Sequence, residues 1–107
     1  MRTASDKIAT FVTTFDRSKL TPSLFHVAAR ALFDTVVCAL AGVREPASDI
    51  VLRYARGQSA VLRGTVWATG ETLPIELAAL VNGTMGHALD YDDVSSPLRG
   101  HPSVAIF

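Results

Sequence analysis

The sequence predicts an all-α chain, on three observations. Apolar residues recur at helical spacing in four stretches, helix-opening residues such as Thr21-Pro22 and His101-Pro102 precede apolar runs, and glycines at 42 and 57 follow two of them as stops. With 107 residues the chain is long enough for one core, so residues 1–107 are expected to form a single helical segment. Half of the residues are apolar and a fifth charged, which sets the chain apart from the low-hydrophobicity signature of disorder.

Ser5 or Asp6 can cap a first helix over residues 5–15, in which Ile8, Phe11, Val12 and Phe15 fall at i, i+3, i+4 and i+7. A second helix opens at Thr21 and Pro22 and runs to Gly42, which can take the left-handed conformation past a helix end. Its His26, Arg30 and Asp34 lie on one face, with Arg30 and Asp34 spaced to pair across a turn; these three are read as structural. From Val36 to Ala41 no polar residue interrupts the helix, which predicts burial on all sides.

A third, short helix starts near Ser48, buries Ile50, Val51 and Tyr54, and stops at Gly57. Residues 58–70 suit a loop or a brief extended segment. Helical spacing resumes after Pro74 and reaches Asn82, Gly83, Gly86 and His87, residues whose tolerance inside a helix implies close packing on a neighbour. A last helix begins at Pro102 and runs for about one turn, so the chain is expected to be a piece of a longer protein.

Composition narrows the partners. Ten basic and ten acidic residues cancel, and the arginines are scattered, so a nucleic-acid backbone has no basic stripe to meet. Charges break up the apolar core that a signal peptide would need, and Arg30 and Asp34 interrupt the longest apolar tract, so neither secretion nor a membrane span is expected. The lone Cys38 sits in an apolar run and reads as a buried thiol in a reducing, cytoplasmic setting.

The chemistry is concentrated in "GHALDYDDVSSPLRGHPS", residues 86–103, which holds two of the three histidines and three of the seven aspartates. His87, Asp90 and Asp93 are three apart and share a face if the helix continues, with Tyr91 and Asp92 pointing elsewhere. A carboxylate beside an imidazole orients it, so an acid/base site is one reading. His101 would stand at the start of the next helix, where free N–H groups favour an anion, and Arg99 could hold a carboxylate. Two other readings stay open: His87, Asp90, Asp93 and His101 as metal ligands, without the spacing of any established metal motif, or a plain polar helix end.

"NGTMGHALDYDD" (82–93) followed by "GHPSVAI" (100–106) resembles the MmgE/PrpD family, which includes 2-methylcitrate dehydratase and cis-aconitate decarboxylase. "FDTVVCALAG" (33–42) is similar to an early helix of that family, with Val37 where a glycine is usual. The resemblance implies an N-terminal part of the large helical domain of a longer, homodimeric enzyme with a further α/β domain. It implies cofactor-independent, metal-free elimination or decarboxylation of small di- or tricarboxylic acids. Since such a reaction needs a base, an acid and several cations, and only the first two are expected here, this piece alone is expected to be inactive. By the same resemblance Asp90 and His101 are the catalytic positions, and His87, Asp93 and Ser103 are assigned to substrate binding. Val94 stands where the family has a threonine and Ser95 where it often has a histidine. Two alternatives from other classes are a non-catalytic helical remnant or interaction module, and a metal-dependent hydrolase.

Overall fold

Thr3, one residue before the helix, opens α1 (Ala4–Thr14), in place of the expected Ser5 or Asp6. In the computed structural model, which describes residues 2–107, Thr3 and Asp6 form a reciprocal capping box. The Thr3 N–H donates to Asp6 Oδ2 at 2.9 Å, and the Asp6 N–H donates to Thr3 Oγ1 at 3.2 Å. These bonds, the backbone one first, hold the Asp6 carboxyl below its ordinary range. No residue of α1 is buried; its stripe of Ile8, Phe11 and Val12 stays exposed.

α2 (Pro22–Gly42) begins as expected, with Thr21 Oγ1 accepting from the Leu24 N–H and Pro22 in the first turn. It buries one face, Thr35, Cys38, Ala39 and Gly42, at i, i+3, i+4 and i+7. The expected burial on all sides does not occur. Leu40 is 49% exposed, because among the described elements α4 and the short α5 are what pack on α2. The anticipated Arg30–Asp34 ion pair is likewise not among the pairs formed by the described residues. By length and composition α2 could cross a membrane. Its Arg30 and Asp34 oppose that, each costing about 3 kcal/mol at the centre of a bilayer on insertion scales.

Gly42 ends α2 within right-handed helical geometry and is no left-handed stop. α3 (Pro46–Arg56) follows after a tight turn, in which the buried Ser48 donates its hydroxyl to the Gly42 carbonyl at 2.7 Å. That bond rotates α3 relative to the expected face. Ser48, Leu52 and Ala55 are inside, while Ile50 and Tyr54 are each 60% exposed and Val51 is half-buried. Gly57 ends the helix as anticipated.

The all-α expectation requires one amendment. Arg63–Thr65 (β1) and Thr72–Pro74 (β2) pair antiparallel, with Gly64 opposite Leu73. Asn82 explains why so short a ribbon holds. Its Oδ1 accepts from the Trp67 N–H at 2.9 Å and its Nδ2 donates to the Thr65 carbonyl at 3.0 Å, tying the ribbon to α4 (Ile75–His87). A buried Asn in mid-helix thus serves a strand, since buried backbone groups need partners. The chain is otherwise mostly helical.

α4 is the central element and touches α2, α3, both strands and α5 (Pro102–Ile106). The core around it consists of Ala39, Leu52, Ala55, Val66, Leu73, Ala78, Val81 and Met85. Small residues let the backbones close in. A Cβ on Gly86 would meet a Val104 methyl at 3.0 Å, which fits the close packing expected of this glycine-bearing helix. The accessible surface is 7888 Å². A compact monomer of this mass exposes about 5,800 Å², so much apolar surface, including the stripe of α1, is left uncovered by the chain itself.

Candidate active site

α4 ends at His87, and the chain leaves it through Asp90, whose φ of 56° lies in the left-handed region. Aspartate tolerates that conformation better than most residues, and there it acts as the helix stop that no glycine supplies here. The Asp90 N–H returns to the His87 carbonyl at 3.0 Å. His87, Asp90 and Asp93 therefore do not share a helix face. Tyr91 turns outward, and Asp92, expected to point away, turns inward and is buried.

The two histidines meet at Asp92. Its Oδ1 lies 3.0 Å from His87 Nδ1 and 3.3 Å from His101 Nδ1. The imidazole rings sit edge to face with centroids 4.5 Å apart. On its other side His101 Nε2 lies 3.2 Å from Asp90 Oδ1. The result is an alternating chain, Asp90–His101–Asp92–His87, that runs from solvent inward and back. The Asp90 side chain is 77% exposed and that of His101 23%, while that of Asp92 is wholly enclosed.

A narrow loop brings His101 back to this point. Ser95 and Gly100 form an isolated bridge, with the Ser95 N–H donating to the Gly100 carbonyl at 2.9 Å and the Arg99 N–H to the Ser95 carbonyl at 2.7 Å. Arg99, with φ 53°, is exposed at the tip, and Val94 is exposed at the base.

Asp93 and Ser103 find each other. The Ser103 N–H donates to Asp93 Oδ1 at 3.1 Å and its hydroxyl to Oδ2 at 2.8 Å, so Asp93 fastens the first turn of α5. Asp93 also borders an open groove along α2 with His26, Arg30 and Asp34. Cys38 lies under this region. Burial first, then the carboxylates of Asp34, Asp92 and Asp93, push its thiol above the ordinary range and keep it protonated.

Asp92 is the residue that spacing missed. A helical reading of 87–93 gives Asp92 the wrong side, and the signal against it was the run of polar residues after Leu89 with no apolar position left to hold a helix on the core. His87, Asp90, Asp92 and His101 can each offer one ligand atom to a metal, all within 4.8 Å of one another. Asp92 takes the place that Asp93 held in the sequence-based ligand set.

A mostly helical framework carrying linked carboxylates and imidazoles at the end of its central helix defines a domain equipped for proton transfer. The chain belongs to the MmgE/PrpD family: residues 6–107 match the MmgE/PrpD N-terminal domain. It is 28% identical over 107 residues to the cis-aconitate decarboxylase of Homo sapiens, which covers 99% of this chain and 22% of that protein. Identity to the Mus musculus cis-aconitate decarboxylase is 26% over the same length and the same shares. The chain thus spans about a fifth of the length of the curated relatives it matches.

Proposed function

We propose that this chain is the N-terminal helical segment of a longer lyase that acts on small di- or tricarboxylic acids, with His101 as general acid/base. The observation that carries this reading is the 3.2 Å contact between His101 Nε2 and the exposed Asp90. Across that distance a proton can pass between the two atoms, and both partners lie where a substrate can reach them.

The chemistry asked of them is simple. In an elimination a base takes the proton from carbon beside a carboxylate, its electron pair forms the double bond, and the leaving hydroxyl departs as water with a proton from an acid. In a decarboxylation the carbon–carboxylate bond breaks, carbon dioxide leaves, and the carbanion takes a proton. His101 Nε2 and Asp90 can give or receive the proton in either case. No cofactor is needed for it, and kinship with cis-aconitate decarboxylases supports a carboxylic acid as substrate.

The substrate carboxylates need several cations. Arg99 is the nearest candidate in sequence to this site, so the remaining cations belong to other parts of the longer protein, and residues 1–107 alone are inactive. The uncovered surface described above supports such a larger body, and homodimerisation and a cytoplasmic location complete the reading. In the longer protein His101→Ala abolishes turnover of citrate-like acids, followed by absorbance of the unsaturated product; wild-type turnover by that variant refutes the assignment.

A second reading, a metal-dependent hydrolase, is favoured by the four ligand atoms within 4.8 Å. It requires one divalent ion per chain by elemental analysis and loss of activity with a chelator. A full rate from metal-free protein removes it.

A further inference from the structure

We infer that Asp92 is the positioning residue of this site: its main-chain carbonyl holds His101 by Nδ1 with the buried carboxylate beside it, and that carboxylate holds His87 by Nδ1, so that Nε2 of each ring is the atom left for chemistry. This deepens the acid/base reading of His101 and rests on it.

The geometry is asymmetric in a way that packing alone does not demand. Asp92 Oδ1 stands between the two Nδ1 atoms at 3.0 and 3.3 Å; the carboxylate accepts from His87 Nδ1, while the hydrogen bond of His101 Nδ1 runs to the Asp92 main-chain carbonyl at 3.3 Å. Nε2 of His101 faces Asp90 at the rim. His87 lines an apolar groove with Leu80, Thr84 and Val104. Each ring is therefore held on its inner nitrogen. Because Nδ1 of His101 faces both the carbonyl and the carboxylate of Asp92, against the one carboxylate of Asp90 at Nε2, its neutral form is the Nδ1–H tautomer, the minor one for free imidazole in water.

Charge supports the same role. An enclosed carboxylate costs free energy unless it is compensated, and among the described residues no lysine or arginine pairs with Asp92. The imidazoles are its partners. When His101 Nε2 takes a proton from substrate carbon, the cation that forms lies beside this anion, and the Nδ1 proton stays where it is. Asp93 cannot substitute, because both of its oxygens are engaged by Ser103.

The test uses the longer protein with ¹⁵N-labelled histidine and long-range ¹H–¹⁵N spectra, the two rings being assigned by single substitution. The wild-type protein is expected to carry a proton on Nδ1 of His101 and His87, and in Asp92→Asn the His87 ring, which bonds the carboxylate, is expected to move to Nε2–H while His101 keeps its Nδ1 proton on the main-chain carbonyl. The same variant should lose kcat by roughly 100-fold, the scale of a positioned acid/base, with KM little changed, and Asp92→Glu should restore part of it. A wild-type His101 found as Nε2–H overturns the role of Asp92 whether or not any variant folds, as does Asp92→Asn with an unchanged kcat. If Nδ1 is protonated but His101→Ala turns over normally, the acid/base reading fails instead, and the positioning role goes with it.

Discussion

Gly42 and Met85 cross so closely that a Cβ on Gly42 would lie 2.2 Å from the Met85 carbonyl oxygen. This is backbone against backbone, and neither helix has a flexible side chain to yield there. Gly42→Ala must push α2 off α4, at a cost of about 3 kcal/mol by the upper range for overpacked cores. Met85 stands two residues before His87, so the same shift disturbs the site. A lower denaturation midpoint together with lower turnover is the expected result, and a midpoint equal to wild type would show that the crossing can relax.

Asn82 adds hydrogen bonds to the apolar packing between the ribbon and α4. Asn82→Ala removes the acceptor of the Trp67 N–H and the donor to the Thr65 carbonyl, leaving two partly buried backbone groups without partners. Each such loss costs about 1–3 kcal/mol. Hydrogen exchange at the Trp67 amide should quicken well before exchange in α4 does. Equal acceleration in both would mean that the ribbon and α4 open as one unit.

Local signals made much of the fold legible. Thr21-Pro22 starts α2, Gly57 ends α3 and Pro74 precedes α4, since caps and stops depend on residues adjacent in sequence. The ribbon was only half visible, as an extended possibility for 58–70, because its three-residue strands depend on Asn82 from another element. The buried face of α3 differs from the one periodicity predicts for a related reason: Ser48 is buried with its hydroxyl on the Gly42 carbonyl, a partner that periodicity does not weigh. Within the candidate site, the stretch 86–103 in which His and Asp are concentrated is also the one in which His101 Nε2 and Asp90 Oδ1 come to 3.2 Å. That contact comes about through a left-handed turn at Asp90, and that turn is also what places Asp92, in place of Asp93, between the imidazoles.

The ion pair between Arg56 and Glu71 gives stability a pH dependence of known sign. Arg56 Nε and an Nη donate to the two Glu71 oxygens at 2.9 and 2.8 Å, joining α3 to the ribbon turn. The Arg56 hydrogen bonds hold the Glu71 carboxyl below its ordinary value, with Thr69 adding to the effect. Its folded-state value lies below its unfolded one, so the contribution is complete above the unfolded value, near 4.3, and is lost as pH falls through the folded one. The effect is modest because Arg56 is half exposed, and high salt should shrink it. Melting temperatures recorded from pH 6 down to pH 3 should fall less in Glu71→Gln than in wild type. Parallel curves would mean that the pair contributes nothing.

Val94 offers a test of how the site was tuned. It follows Asp93 directly and is exposed, so its side chain contributes little to the core, and Val94→Thr should change stability by no more than about 0.5 kcal/mol. The hydroxyl would stand at the base of the loop that carries His101, at the position where the family resemblance places a threonine. One new hydrogen bond to a bound carboxylate is worth about 1 kcal/mol, or several-fold in kcat/KM. Val94→Thr in the longer protein should therefore raise kcat/KM for citrate-like acids with an unchanged melting temperature. A lower kcat/KM would indicate that this protein's substrate presents an apolar group at that point, and a panel of acids differing by one methyl group would then identify it.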